Sequence, residues 1–261
     1  MPRLLKQIII LLIFLFIFAG ISYWIYGMFI KPSCEDGKRN QNETGIDCGG
    51  VCPKECPKKV ELKQIEVQEA DLVEDASRYD VFGKIFNSNS GYGVQVLKYE
   101  FVLYDESGKV GSRSGETYIL PKEEKYIVET GINVTSNPTK VELELEELEE
   151  SDFVKFEESE YPKIETLNQS YAYAKEAGRF FEINFQVVNR SSYNLHTLHL
   201  VSVVKDENGE LIALNKGNIN DVTPGEVRDF RFLWPREIPV REEIEIDLEA
   251  SSNVLDFDNI Y

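Results

Sequence analysis

The residues whose type and spacing point most directly at chemistry are the four cysteines. Cys34, Cys48, Cys52 and Cys56 all fall in "CEDGKRNQNETGIDCGGVCPKEC", about two dozen residues. Such a set reads as disulfides in an oxidising compartment and as a metal site in a reducing one. A structural zinc site closes on four tetrahedral ligands, usually delivered by CxxC knuckles. The C-x13-C-x3-C-x3-C spacing here has none, so two disulfides are expected. Three pairings are open, and Cys34–Cys48 with Cys52–Cys56 is the preferred one. The same stretch carries Asp36, Asn40, Asn42, Glu43 and Asp47, hard oxygen donors of the kind calcium takes. They do not fit the spacing of an EF-hand loop. Polar turn formers in a solvated loop are the plainer reading. No metal or cofactor is therefore expected, with calcium on Asp36, Asn40, Glu43 and Asp47 as the alternative.

Elsewhere the chemistry is thin. The two histidines, His196 and His199, lie three apart. On a strand that spacing puts them on opposite faces, where they could not share a metal. HExxH, GxSxG, a phosphate loop and GxGxxG are all missing. All the cysteines sit in one patch, so none is left as a nucleophile farther on. Carboxylates are abundant, but no pair is singled out. A catalytic role is not expected. Asn42, Asn133, Asn168 and Asn189 open N-x-S/T sequons, which matter in a host that glycosylates them.

What positions the cysteine patch is the segment before it. Ile8 to Ile30 runs 23 residues without a charge. At about 1.5 Å per residue it is roughly 35 Å long, enough to cross a hydrocarbon core of about 30 Å with some tilt. Arg3 and Lys6 precede it; Lys31, Glu35 and Asp36 follow. This bias predicts a cytoplasmic N-terminus (1–7), a transmembrane helix (8–30) and everything beyond Lys31 outside. Tyr23, Trp24 and Tyr26 suit an interfacial aromatic belt. A cleaved signal peptide would have a shorter apolar stretch and a clear small-x-small site; Ala19-Gly20 is a poor one. The cysteines then form an oxidised juxtamembrane segment (31–57), too short to bury a core without cross-links.

Charge narrows the partners. The 261 residues carry a net charge of −18. Residues 1–31 hold three basic residues and no acid, so the remainder is more negative still. Nucleic acid is excluded as a partner by sign, and docking on anionic lipid is disfavoured for the same reason.

From Lys58 onward the pattern is β. Leu97, Tyr99, Phe101 and Leu103 alternate with Lys98, Glu100, Val102 and Tyr104, the period of a strand. "VFGKIFNSNS" and "VQVLKYEFVLYDESGKV" are answered about a hundred residues later by "FFEINFQVVNRSS" and "LHTLHLVSVVKDENGEL". The turn Asp105–Gly108 answers Asp206–Gly209, and Pro121 answers Pro224. The expected fold is all-β: two tandem antiparallel, Ig-like sandwiches after one helix. They span 58–148 and 164–261. An acidic stretch, 149–163, links them or forms an edge.

Two resemblances add to this. The cysteine stretch is similar to a motif of bacterial and archaeal surface proteins, roughly C-x-DG-x-x-N-x-x-ET-x-x-DCGG-x-C-x-x-C. It is matched by Cys34, Asp36, Gly37, Asn40, Glu43, Thr44, Asp47, Cys48, Gly49, Gly50, Cys52 and Cys56, with one extra residue in the last gap. It implies an extracytoplasmic location and no activity. The first repeat resembles the FxLYD domain, a small β-sandwich of such proteins, through Phe101-Val102-Leu103-Tyr104-Asp105 with Gly83, Asn87 and Pro121. The second repeat has Ser202-Val203-Val204-Lys205-Asp206 and keeps only the aspartate. The resemblance implies a structural motif, with alternate residues in the core and the aspartate starting the turn.

The functional expectation is a single-pass, non-enzymatic interaction or scaffold protein. It would present two sandwiches to a protein partner in the envelope or at the surface. The alternatives are an accessory subunit of a larger envelope complex for secretion or transport, and a calcium-dependent binder or extracytoplasmic enzyme.

Overall fold

The computed structural model describes residues 2–29, 34–40, 42–56, 61–156, 161–173, 181–235, 238 and 243–260. The chain divides into two compact units, Met1–Glu61 and Leu62–Tyr261.

In the first unit, α1 runs Arg3–Phe29. Its Ile- and Phe-rich sequence is not an intrinsically strong helix former. In hydrocarbon, however, a helix satisfies every backbone polar group within its own segment. The stretch Arg3–Tyr26 is long and apolar enough to cross a membrane. Ile30, the expected end of the span, lies outside the described residues.

The cysteine stretch closes through Cys34–Cys52 and Cys48–Cys56, with Cα–Cα distances of 5.7 and 4.8 Å. The preferred pairing of Cys34 with Cys48 and Cys52 with Cys56 is therefore corrected. The cause is a local chain reversal. Gly45 and Cys48 form an antiparallel bridge, and Gly49 and Gly50 then turn at φ +68° and +61°. The Gly49 N–H donates to Lys54 O (2.7 Å) and the Cys52 N–H to Gly49 O (3.0 Å). The return brings Cys56 beside Cys48: a Cβ on Gly45 would stand 2.8 Å from one sulfur and 2.9 Å from the other. Glycine is needed at position 50 as well, where a Cβ would come within 1.9 Å of Asn42 O.

The second unit is all-β. Its strands are β1 (Glu66–Asp75), β2 (Arg78–Phe86), β3 (Tyr92–Asp105), β4 (Gly108–Ile119), β5 (Glu124–Ile132), β6 (Lys140–Leu145), β7 (Phe153–Lys155), β8 (Ile164–Ala172), β9 (Phe181–Asn189), β10 (Leu195–Asp206), β11 (Leu211–Val222), β12 (Val227–Trp234) and β13 (Ile244–Ser251). Sheet β1-β2-β5 and sheet β4-β3-β6 enclose the first core; β8-β9-β12 and β11-β10-β13 enclose the second. The two orders are identical strand for strand, so the duplication holds at the level of topology. The stretch 149–163 is not only a linker. Its Phe153, Val154 and Lys155 form β7, which pairs with the start of β3.

Both repeats share a buried staple where the second strand ends. Asn87 donates from Nδ2 to Tyr92 O (2.8 Å) and Leu120 O (2.9 Å), and Asn189 donates to Tyr193 O (2.8 Å) and Val222 O (3.0 Å). Each asparagine Oδ1 accepts the N–H of the residue two positions on, Asn89 or Ser191, at 3.0 Å. Each staple ties the second strand to the third and fourth, where backbone carbonyls would otherwise be buried without a donor.

Candidate functional site

The FxLYD-like residues build the first core. Phe101 and Leu103 are fully buried, and Tyr104 and Asp105 are half-buried at the strand end. Asp105 Oδ1 accepts the N–H groups of Ser107 (2.7 Å) and Gly108 (3.1 Å), and Oδ2 accepts the Ser136 hydroxyl. Asp206 caps the matching turn by accepting the N–H groups of Asn208 and Glu210, both at 2.9 Å.

The acids of the cysteine stretch also act as turn acceptors. Asp47 accepts the N–H of Asp36 (3.0 Å) and of Gly37 (2.9 Å). Asp36 accepts the Lys38 N–H and the Asn40 Nδ2, both at 2.9 Å. Glu43, 4% exposed, accepts the N–H groups of Asn40 (3.2 Å) and Asp47 (3.3 Å). A cation among these carboxylates would face several N–H dipoles. Cys34, Glu43 and Cys52 do converge within 4.8 Å. Both sulfurs are in the disulfide, so the set offers no thiolate to a metal.

The two histidines diverge. His196 is exposed and lies 2.8 Å from Asp221. His199 faces the place where the two repeats meet, which is the most structured polar site among the described residues.

The outer face of β2 and β5 packs on the outer face of β10 and β11. Phe82 and Val128, a cross-strand pair, meet Val203 and Leu214, also a pair. Ion pairs flank this apolar centre: Lys205–Glu69 and Lys216–Glu129, each 2.9 Å. Tyr126 donates its hydroxyl to Asp247 (3.0 Å) and its N–H to Glu249 (2.9 Å), and Asn253 donates to Gln95 O (3.1 Å).

At the centre sits Lys125, whose side chain is 5% exposed. Its Nζ lies 2.7 Å from Ser251 Oγ, 3.4 Å from Glu249 and 3.9 Å from the centre of the Tyr118 ring. Burial works against the charge, but Tyr118, Glu249 and Glu123 outweigh it, so the ammonium is held above the ordinary lysine range. Burial pushes the Tyr118 phenol up to about 12, despite the pull of Lys125. His199 is pushed below its ordinary value by burial and then by the Lys125 charge, so its ring is neutral at pH 7. Its Nδ1 lies 3.0 Å from Asn218 Oδ1. A cleft of about 410 Å³ opens above these groups, walled by both repeats.

No protein-family model matches the chain, and no curated protein matches it. The site is therefore read from its own geometry.

Strand register shows what is particular to the joint. The Phe82–Val128 pair is replaced in the second repeat by Asn184–Arg231, and the Val203–Leu214 pair in the first repeat by Val102–Ser112. Each repeat thus has one apolar docking face; the face left free is polar at Asn184 and Arg231 in the second repeat, and in the first it sets Ser112 beside a buried Val102. Lys125, Tyr118 and His199 escape sequence reasoning because their strands alternate as half-wet strands do. Nothing local says which outer face a second module will cover.

Proposed function

We propose that the protein is a single-pass, membrane-anchored scaffold or interaction protein, not an enzyme, that holds a rigid pair of β-sandwiches outside the cytoplasmic membrane. The observation that carries this reading is the order of α1 and the disulfide-closed stretch. An apolar helix able to cross a membrane ends at Phe29, and two disulfides begin at Cys34. Disulfides persist in oxidising compartments. Arg3 and Lys6 at the N-terminal end of the helix support an inside N-terminus by the positive-inside bias. The joint supports the scaffold half of the reading. An apolar centre flanked by ion pairs and a buried lysine cluster would fix the two modules at one angle, as a spacer or presenting arm needs. The FxLYD resemblance agrees with a surface role, and a protein partner in the envelope or on the surface is the expected client.

Protease treatment of intact source cells tests the orientation. Digestion of the β unit while a cytoplasmic marker survives is the expected result. A β unit protected until the membrane is broken would reverse it. Cross-linking in the same cells, followed by mass spectrometry, would then identify the client.

A further inference from the structure

The two disulfides of the cysteine stretch sit in different electrostatic settings. Glu43 is 4% exposed, and its Oε1 lies 3.2 Å from Cys52 Sγ. A disulfide sulfur carries no hydrogen to donate, so this contact is not a hydrogen bond. It is a buried carboxylate oxygen held against a sulfur–sulfur bond. Oε2 accepts the N–H groups of Asn40 (3.2 Å) and Asp47 (3.3 Å), which fixes the carboxylate there. Cys34 Sγ belongs to the same group: both sulfurs and a Glu43 oxygen lie within 4.8 Å of one another.

Cys48–Cys56 has other neighbours. A Cβ on Gly45 would come 2.8 Å from Cys48 Sγ and 2.9 Å from Cys56 Sγ, and one on Gly49 would come 3.1 Å from Cys56 Sγ. The hydrogens of these glycines neither repel an approaching anion nor cover the bond. Asp47, next to Cys48 in the chain, turns its carboxylate to the Asp36 and Gly37 N–H groups.

Thiol–disulfide exchange is sensitive to this difference. A thiolate attacks one sulfur, the S–S bond breaks, a mixed disulfide forms and the other sulfur leaves as a thiolate. A second thiol resolves the mixed disulfide. Two thiols are thereby oxidised to one disulfide, and their two protons end on the two cysteines. At Cys34–Cys52 the leaving thiolate would emerge within 4.8 Å of the Glu43 oxygen, where burial leaves little water to screen like charges.

We propose that Cys48–Cys56 is an exchange site for a low-molecular-weight thiol, and that Glu43 guards Cys34–Cys52 against the same attack. The guarded bond spans 18 residues and the exchangeable one 8. Exchange at the shorter loop therefore leaves the longer one closed.

The test treats the full chain in lipid nanodiscs with dilute dithiothreitol, quenches samples in acid at intervals and alkylates them with N-ethylmaleimide. Peptide mapping by mass spectrometry then reads each cysteine. Cys48 and Cys56 should be labelled first, roughly tenfold faster than Cys34 and Cys52. Glu43→Gln keeps an acceptor oxygen and removes the charge. It should speed reduction of Cys34–Cys52 roughly tenfold and leave Cys48–Cys56 unchanged. A second measurement on the unaltered chain does not depend on how the variant folds. Cationic cysteamine should outpace anionic thioglycolate by a larger factor at Cys34–Cys52 than at Cys48–Cys56. Equal rates at the two bonds, Cys34–Cys52 opening first, neither bond opening in the folded chain, no effect of Glu43→Gln, or the same charge preference at both bonds would overturn the proposal. The rates are read whichever side of the membrane the stretch occupies, so their failure leaves the membrane reading standing.

Discussion

Gly83 and Phe101 meet across the first core: a Cβ at Gly83 would reach the Phe101 ring at an ordinary contact distance of 3.4 Å, and the approach that requires the glycine is to Leu143 Cδ2, at 2.3 Å. In the second repeat the same two positions, by strand register, hold Phe185 and Ser202. The aromatic bulk has moved from one sheet to the facing one. This explains how the second repeat fills its core with Ser202 at the position of Phe101. Gly83→Ala should cost about 1–3 kcal/mol by overpacking, and Phe101→Ala about 3–5 kcal/mol. Ser202→Phe should destabilise by overpacking against Phe185. Adding Phe185→Gly should recover part of that loss, because facing core residues couple. Urea unfolding of these four variants and of Phe185→Gly alone measures all of this, and strict additivity of the pair would rule out the size exchange.

The buried asparagines predict a pattern of modification. Asn189 opens a sequon, yet it is 0% exposed and both its Nδ2 hydrogens are engaged. In a glycosylating host, Asn133 and Asn168, both exposed, should be occupied and Asn189 should be bare, as glycopeptide mass spectrometry would show. Asn189→Ala should cost about 2–4 kcal/mol, because two buried carbonyls lose their donor.

Much of this architecture can be read from the residues alone, and the reasons for the rest are physical. Period-two alternation from Leu97 to Leu103 marks β3, and the spacing of Asn87 to Asp105 against Asn189 to Asp206 marks the repeat. Both are local signals. The disulfide pairing depended on the reversal at Gly49–Gly50, which spacing between cysteines does not encode. The strand β7 was hidden in an acidic stretch because Phe153 and Val154 make too short an apolar run among the charges to signal a strand. The cleft was least legible. Lys125 looks like any strand lysine until the second repeat covers it.

The joint should fail first at high pH. An unfolded tyrosine ionises near its ordinary value of 10.0, whereas folded Tyr118 holds its proton to about 12. Between these values only the unfolded chain sheds the proton. The contribution is therefore complete below pH 10 and disappears as pH rises toward 12. Lys125, raised above its ordinary 10.5, acts in the same direction: its contribution is full below that pH and lost above it. Thermal melts should be flat from pH 7 to 10 and fall steeply beyond. Tyr118→Phe should soften that fall. An identical alkaline fall in wild type and variant would show that the cluster does not govern it.

The polar residues Asn184, Arg231 and Ser112 on the two outward faces should keep the pair from propagating. The docking is head-to-tail: one face of the first repeat meets a different face of the second. Heterologous contacts of this kind build open chains when both faces remain available on each unit. Here the free faces carry Asn184–Arg231 and Val102–Ser112 where the joint has Phe82–Val128 and Val203–Leu214. Burying Arg231 together with its Glu182 partner (3.5 Å) would cost desolvation that the contact does not return. Asn184→Phe with Arg231→Val restores one apolar face, and Ser112→Leu with Glu100→Val, the counterpart of Val201, restores the other. Either pair of substitutions alone should leave the full chain in nanodiscs unassociated in sedimentation velocity. The combined variant should form chains whose length rises with concentration. Association of the wild type that either single pair of substitutions abolishes would mean that the polar faces are themselves a contact, and that the two-repeat unit is not closed.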